Sequence, residues 1–254
     1  MRYDRIRTGL IMVLRMLLRR RIAIILLIVI PVVFLTVVEF TTSTRTLPFR
    51  LASLDEEVFI ETSEKNISFV FFALASAGFL VSFLALNLIQ KNNNVNRRLV
   101  ICGYHPNEIL ISSLASLFLM ILLIAIFVGI LTNAFFNLEH LPMFIFGLVL
   151  IGVVYGCYGL AVGSLVKGEL EGILFIVLLV NIDAGWLQNP LFYAEAQNKL
   201  IIRYLPAYFP SQAAIISAFT DYSAGTAIWN SLLYGCTFLL LSMFIFFRKM
   251  RIRK

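Results

Sequence analysis

The sequence predicts an all-α integral membrane protein with six transmembrane helices. Three observations lead to this prediction: the composition, the length of the apolar runs, and the placement of the basic residues. Hydrophobic residues make up 60% of the 254 residues and charged residues 14%, with a mean hydropathy of +0.92. A soluble domain is roughly half apolar and a quarter charged. A water-soluble fold of this composition would expose very large apolar patches.

The apolar runs set the number of spans. Five of them are long enough to cross about 30 Å of hydrocarbon as helices. The fifth run in chain order is shorter and carries Asn181 and Asp183, so it can end within the membrane or continue into a re-entrant element. Within one domain, residues 1–254, we expect transmembrane helices at about 22–40, 67–89, 109–136, 143–166, 172–187 and 227–247.

Residues 1–21 are predicted to form a basic amphipathic helix at the membrane interface. The positively charged face is suited to lipid headgroups. The run that follows is long and no A-x-A-like site ends it, so we expect it to be a retained anchor rather than a signal peptide. The apolar face consists of residues at helical spacing: Ile6, Leu10, Val13, Leu14 and Leu17.

The basic residues predict the orientation. With the N-terminus inside, sixteen of the 21 Lys and Arg residues fall in cytoplasmic segments. This bias predicts that both termini are cytoplasmic, which requires an even number of spans. Because the basic residues lie beside apolar segments, the net charge of +7 reports orientation, and we expect no nucleic-acid partner.

Two connecting segments are unlike simple loops. Residues 90–108 form a polar cytoplasmic segment in which Pro106 suits the first turn of a helix, and Glu108 in that turn would favour the helix dipole. Such an exposed polar helix is a docking element for a soluble partner, although an ordinary loop is the alternative. The outer segment 188–226 is semi-apolar and punctuated by prolines, which predicts an interfacial or re-entrant piece.

The sequence offers no catalytic candidates. It contains no G-x-x-x-x-G-K-[ST], H-E-x-x-H or G-x-S-x-G motif. The two histidines, His105 and His140, fall on opposite predicted sides of the membrane. We therefore expect a non-enzymatic chain that binds no metal and no cofactor of its own. Its three cysteines are interpreted as small apolar residues, with no disulfide expected.

A few residues within the spans are candidates for function. Asp183 is costly to bury in a membrane. It is either a polar point on a substrate path, together with Asn181, or the cap of a helix that ends near the outer surface. Phe72, Phe79 and Phe83 share one helical face, which would line an apolar substrate cavity or pack against lipid and core.

The fourth predicted span carries four glycines on one helical face. Small residues let helix backbones approach closely in lipid, so close packing is the main prediction, with a hinge or a dimer seam as alternatives. The four are Gly152, Gly156, Gly159 and Gly163.

In this combination the chain resembles the permease subunit of bacterial ABC-2 type exporters, over essentially its whole length. The resemblance lies in the basic N-terminal helix, the six spans, and two short stretches. The first stretch is Arg97-Arg98-Leu99 with Gly103-Tyr104-His105-Pro106-Asn107-Glu108-Ile109, similar to the family's entry into the third span. The second is Leu205-Pro206-Ala207-Tyr208-Phe209-Pro210-Ser211, similar to its proline-containing segment before the sixth span.

The resemblance implies a cell-membrane exporter of a drug, an antimicrobial peptide or a lipid-like molecule. It implies separate ABC ATPase subunits that bind ATP and Mg, and a second permease copy or a related permease as partner. A cytoplasmic coupling helix between spans two and three would contact the ATPase. The implied coupling residues are Arg97, Arg98, Gly103, Tyr104, His105, Pro106, Asn107 and Glu108. Export of a lipid-linked polysaccharide, or a non-transporting immunity or sensor role, are the alternatives.

Overall fold

The computed structural model describes residues 3–19, 21–51, 59–166, 168–189, 192–193 and 197–250. This part of the chain is mainly helical, with one two-stranded sheet. Its helices are α1 (Tyr3–Leu18), α2 (Arg21–Thr41), α3 (Glu64–Ile101), α4 (Pro106–Phe135), α5 (Leu141–Leu165), α6 (Glu169–Val180), α7 (Lys199–Arg203), α8 (Tyr208–Phe219) and α9 (Gly225–Met250). A π-helical segment, Asn181–Leu187, continues α6, and the strands are β1 (Thr46–Arg50) and β2 (Phe59–Ser63).

The prediction of six apolar helices is confirmed. Six helical spans of the described chain are long and apolar enough to cross a membrane, the fifth made of α6 together with the π-helical segment. They begin and end within a few residues of the predicted runs, except that α3 continues well beyond the second. Two of them form the centre of the bundle. In α3 and in α5, 78% of the membrane-spanning section is buried, against 17% in α2 and in α9. The chain is therefore a multi-pass membrane protein built around the α3–α5 pair.

The two ends of the bundle differ in their connections. At one end lie the α3–α4 turn and the α5–α6 connection, where Lys91 and Glu169 form an ion pair at 2.7 Å. We call this the basic end. At the other, β1 and β2 pair in antiparallel register between α2 and α3, and we call this the hairpin end. Sequence inspection did not predict the strands.

Glycines bring α5 close to its neighbours. A Cβ atom at Gly152 would lie 2.6 Å from Cγ2 of Ile121 on α4, and one at Gly163 would lie 3.2 Å from the carbonyl oxygen of Leu86 on α3. A Cβ atom at Gly159 would collide with the carbonyl oxygen of Ser82. Gly156 also faces both neighbouring helices. All four predicted glycines thus lie at helix contacts within the bundle.

The segment predicted as a cytoplasmic coupling loop, 90–108, is mostly helix. No separate coupling helix forms, because α3 continues without interruption to Ile101 and α4 starts at Pro106. The stretch from Lys91 to Ile101 contains neither glycine nor proline, so nothing in it ends a helix. At 1.5 Å per residue it extends α3 by about 15 Å beyond the apolar span. The α3–α4 hairpin therefore projects from the basic end.

The outer segment 188–226 contains a short buried helix. α8 is 12 residues long, about 18 Å, which is too short to cross a membrane. Its residues from Tyr208 to Ala218 are buried almost throughout, and it packs against α5, α9 and α3. A Cβ atom at Gly147 of α5 would lie only 2.8 Å from Cβ of Ala214, so α8 is inserted into the bundle rather than lying on its surface. Its depth in a membrane stays a prediction.

Candidate functional site

The turn between α3 and α4, at the basic end, is held by hydrogen bonds within its own backbone. Gly103 has a φ of +87° and follows the last turn of α3. The N–H of Gly103 donates to the carbonyl of Val100 and the N–H of Tyr104 to that of Leu99, both at 3.0 Å. This pair of bonds is the Schellman arrangement that ends helices at a glycine. The backbone of the turn is therefore fixed by its own hydrogen bonds.

The start of α4 is capped on both sides. The N–H of Asn107 donates to Nδ1 of His105 at 3.3 Å, and the N–H of His105 donates to Oε2 of Glu108 at 3.1 Å. With Pro106 at the first helical position, this reciprocal pair forms a capping box. The prediction that Pro106 and Glu108 lie in the first turn of a helix is confirmed.

An arginine from α1 braces the same turn. Nη1 of Arg5 donates to the carbonyl of Gly103 at 2.8 Å and lies 3.8 Å from Oε2 of Glu108. Its guanidinium carbon also lies 5.1 Å from the centre of the Tyr104 ring. Four residues further along α1, Gly9 packs against Ser112 of α4. A Cβ atom added at Gly9 would lie 2.9 Å from Oγ of Ser112. Thus α1 is attached to the projecting hairpin.

The apolar face predicted for α1 is the face that packs inward. Val13 is buried and Ile6, Leu10, Leu14 and Leu17 are half-buried. The opposite face carries exposed Arg15 and Arg19. The amphipathic helix is confirmed as a helix, and its apolar side contacts α4. A location at the lipid interface stays a prediction.

The predicted coupling residues divide into exposed and buried groups. Arg98, Gly103, His105 and Asn107 are exposed and Tyr104 is half-buried. Glu108 is only 6% exposed, so the expectation that it forms part of an exposed docking element is wrong. The carboxylate is turned inward because it caps the backbone of His105. The backbone of Arg97 lies in α3, and its side chain lies outside the described residues, as does that of Pro106.

Removing the brace is expected to loosen the turn without unfolding the bundle. We predict that Arg5→Ala lowers stability by about 1 kcal/mol, because it removes one hydrogen bond and a partly exposed cation–π contact. Amide hydrogen exchange should accelerate at residues 103–108 in particular. The control is Arg7→Ala, an exposed position two residues along the same helix. Equal acceleration in both variants would contradict a specific brace by Arg5.

Asp183 forms a second organised site, deep in the bundle. Its side chain is 4% exposed. Oδ2 accepts hydrogen bonds from the hydroxyl of Tyr155 at 2.5 Å and from the N–H of Ala207 at 3.0 Å. Oδ1 accepts from the amide of Gln188 at 3.2 Å. The carboxylate thus joins α5, the end of the π-helical segment and the residue that precedes α8.

The donors around Asp183 are uncharged within the described part of the chain. Hydrogen bonds donated to the ionised form favour that form, so the three donors stabilise this carboxylate although no cation lies beside it among the described residues. The position in a π-helical segment is notable, because such segments occur frequently at functional sites. Asn181 points elsewhere, as its side chain is exposed and donates to the carbonyl of Val177 at 2.7 Å. A role for either residue on a substrate path stays a prediction.

The aromatic set on α3 does not form one surface. The ring of Phe72 packs against Phe34 of α2, with ring centres 5.9 Å apart. Phe79 and Phe83 line a separate cavity of about 210 Å³ between α2, α3 and α6. Two of the three rings therefore line an apolar cavity, which the structure does not connect with Asp183. That this cavity holds a substrate stays a prediction.

The histidines lie at opposite ends of the bundle. His105 caps α4 at the basic end, and Nε2 of His140 lies 2.6 Å from Oδ1 of Asp221 at the hairpin end. Among the described residues, no group of three or more His, Cys, Asp or Glu side chains is arranged to hold a metal ion.

Comparison with known proteins does not refine the class. No protein-family model matches the chain, and no curated protein matches it significantly. The fold and composition define a multi-pass helical membrane protein. Its activity has to be argued from its own residues.

Proposed function

We propose that the chain is the membrane-spanning subunit of an ATP-driven exporter of the ABC-2 type. It would lie in the cell membrane with both termini in the cytoplasm, beside a second permease. ATP and Mg would bind to separate ATPase subunits at the basic end. The substrate class would be a drug, an antimicrobial peptide or a lipid-like molecule.

The projecting α3–α4 hairpin is the observation that carries this proposal. Its turn is capped on both sides and braced by α1, so a force applied to the turn would be transmitted to two helices that continue into the membrane. Ile101, at the tip, is 76% exposed, and Arg98 and Asn107 beside it are exposed as well. One exposed apolar residue is common on protein surfaces, so the support for docking comes from the rigidity of the turn and from its place at the tip of the projecting hairpin.

The buried helix α8 and the Asp183 cluster support the same proposal. A short inserted helix between the fifth and sixth spans is an element that the resemblance implies. The carboxylate holds the residue that precedes this helix, which would fix the helix in one position while other parts move.

The proposal predicts a stable complex with a P-loop ATPase. Purification of the tagged chain from its native membrane in mild detergent should recover such a protein, identified by mass spectrometry. An ATPase gene in the neighbouring reading frame would be its expected source. If no P-loop protein copurifies under conditions that keep the chain monodisperse, the exporter proposal fails and a non-transporting role is favoured.

A substitution at the tip should separate docking from folding. We predict that Ile101→Asp lowers recovery of the ATPase by about tenfold, the size of effect expected at a central interface residue, with an unchanged melting temperature. Phe59→Asp is the matched control, because Phe59 is 60% exposed but lies at the hairpin end. Glu108→Arg does not serve this purpose, since the buried carboxylate caps α4 and its loss would disturb the turn itself. Undiminished recovery with Ile101→Asp would refute docking at the tip.

A further inference from the structure

The cavity between α2, α3 and α6 is a recess in the outer wall of the bundle. Its volume is about 210 Å³, and the atoms that line it are apolar. One of the lining residues, Leu26, is 40% exposed, so the cavity reaches the outer surface of the helices. The main walls are Leu26 and Ile30 of α2, Phe79, Phe83 and Leu84 of α3, and Ile173 of α6.

The recess lies within the hydrocarbon section, near the basic end. Leu26 is five residues from the start of α2, or about 7.5 Å. Leu84 is seven residues before Lys91, or about 10 Å along α3. Lys91, paired with Glu169, marks the level at which charged groups begin. The recess therefore opens between that level and the middle of the membrane.

The surface around the mouth is apolar as well. Ile25, Val29 and Leu174 are 57%, 44% and 59% exposed, and in a membrane such side chains contact acyl chains. Water in the recess would find no hydrogen-bond partner, and a helix is too wide to enter it. An apolar cavity of about 150 Å³ is enough to bind benzene, so this one accommodates six or more carbon atoms.

We propose that the cavity binds a section of one acyl chain of a membrane phospholipid from the leaflet at the basic end. The bound chain contacts α2, α3 and α6 together. It fills the space between α2 and the central helix α3, at a place where α2 has little protein around it. The site requires neither an ATPase nor transport, so its test can fail without the exporter proposal failing; it does require that the proposed second permease leave this face of α2 and α6 open to lipid.

Photolabelling tests this site directly. The full-length protein is placed in phosphatidylcholine vesicles that contain a phosphatidylethanolamine with a diazirine in the middle of one acyl chain. After irradiation, mass spectrometry maps the labelled residues. We expect label to be concentrated on residues 79–84 of α3 and on Ile173, well above the level on exposed apolar residues of α4 and α9.

Filling the cavity should remove this label. Leu84→Trp places a larger side chain in the recess and displaces two or more methylene groups. Because burial of each methylene changes affinity by roughly fourfold, labelling of α3 should fall by about tenfold. Leu123→Trp is the control, since Leu123 is 59% exposed on α4 and does not line the cavity. Phe83→Ala, which enlarges the recess, should raise the labelling and provides a second test if Leu84→Trp does not fold.

Three outcomes would overturn the proposal. One is label spread evenly over all lipid-facing residues and unaffected by Leu84→Trp. Another is unchanged labelling in a well-folded Phe83→Ala variant. The third comes from a parallel sample with a diazirine fatty acid that has no phospholipid headgroup. If the free fatty acid alone labels the cavity, the occupant is a headgroup-free amphiphile and not a phospholipid.

Discussion

Replacement of Asp183 by alanine is expected to lower the free energy of unfolding by about 2–4 kcal/mol. The change leaves the Tyr155 hydroxyl, the Gln188 amide and the Ala207 N–H without their acceptor, and each unsatisfied buried donor costs about 1–3 kcal/mol. Removal of a buried carboxylate offsets part of this loss, since its burial in a membrane costs roughly 2.5–3.5 kcal/mol on insertion scales. The measurement is the melting temperature of the purified protein in detergent.

The Asp183→Asn variant keeps the shape of the side chain and removes its charge, so it tests the two contributions separately. Its Oδ1 can take the place of Oδ2 and accept from both Tyr155 and Ala207. Its amide would face Gln188, whose side-chain amide can rotate by 180° and offer its oxygen instead. We expect Asp183→Asn to change stability by no more than about 1 kcal/mol. An Asp183→Ala variant with unchanged stability would contradict the anchoring role of the carboxylate. A stable Asp183→Asn variant that loses the proposed export activity would assign a function to the charge itself.

The spans could be predicted from the sequence because hydropathy is a local property. Each apolar run contains its own evidence, and the six helices lie where those runs are. The end of α3 could have been predicted too, because Gly103 and Pro106 are ordinary signals for the end of one helix and the start of the next. The polar composition of the stretch after Gln90 led to a loop prediction, although a helix that leaves the membrane has no need of apolar residues.

The contacts that organise the two sites could not be predicted. Arg5 and Gly103 are 98 residues apart, and Asp183 and Tyr155 are 28 residues apart on different helices. No local pattern specifies which distant side chain meets which. The inward orientation of Glu108 follows from the capping box, whereas its attraction for Arg5 depends on how α1 packs on α4. Seven arginines precede residue 22, and nothing in the sequence indicates that Arg5 is the one that contacts the α3–α4 turn.

Substitution of Gly159 by alanine is expected to disturb the centre of the bundle. The new Cβ atom would collide with the carbonyl oxygen of Ser82 and lie 3.0 Å from Cβ of Ala85, so α3 and α5 would have to separate. Overpacking of this kind costs about 1–3 kcal/mol and occasionally more. The backbone position of α3 is involved, so we expect the upper part of that range and a visibly lower melting temperature.

Gly185→Ala is the matched control, because it makes the same chemical change where there is room. The nearest atom to a Cβ there is the carbonyl oxygen of Val180 at 3.5 Å, an ordinary contact. Alanine favours helix over glycine by up to about 1 kcal/mol, so this variant should be neutral or slightly more stable. Equal destabilisation of the two variants would show that the flexibility of glycine matters and not the close approach of α5 to α3.

The two largest effects should also be coupled. Tyr155 lies one helical turn before Gly159 on α5. Its carbonyl oxygen is 3.2 Å from Ser82 Oγ, whose single proton is shared with the carbonyl of Gly78 at 2.7 Å. Separation of α5 from α3 would therefore move the Tyr155 hydroxyl relative to Asp183. Since residues that share a backbone shift are not additive, the Gly159→Ala and Asp183→Ala double variant should lose less stability than the two single losses combined. A purely additive result would show that the anchor at Asp183 and the α3–α5 contact are independent.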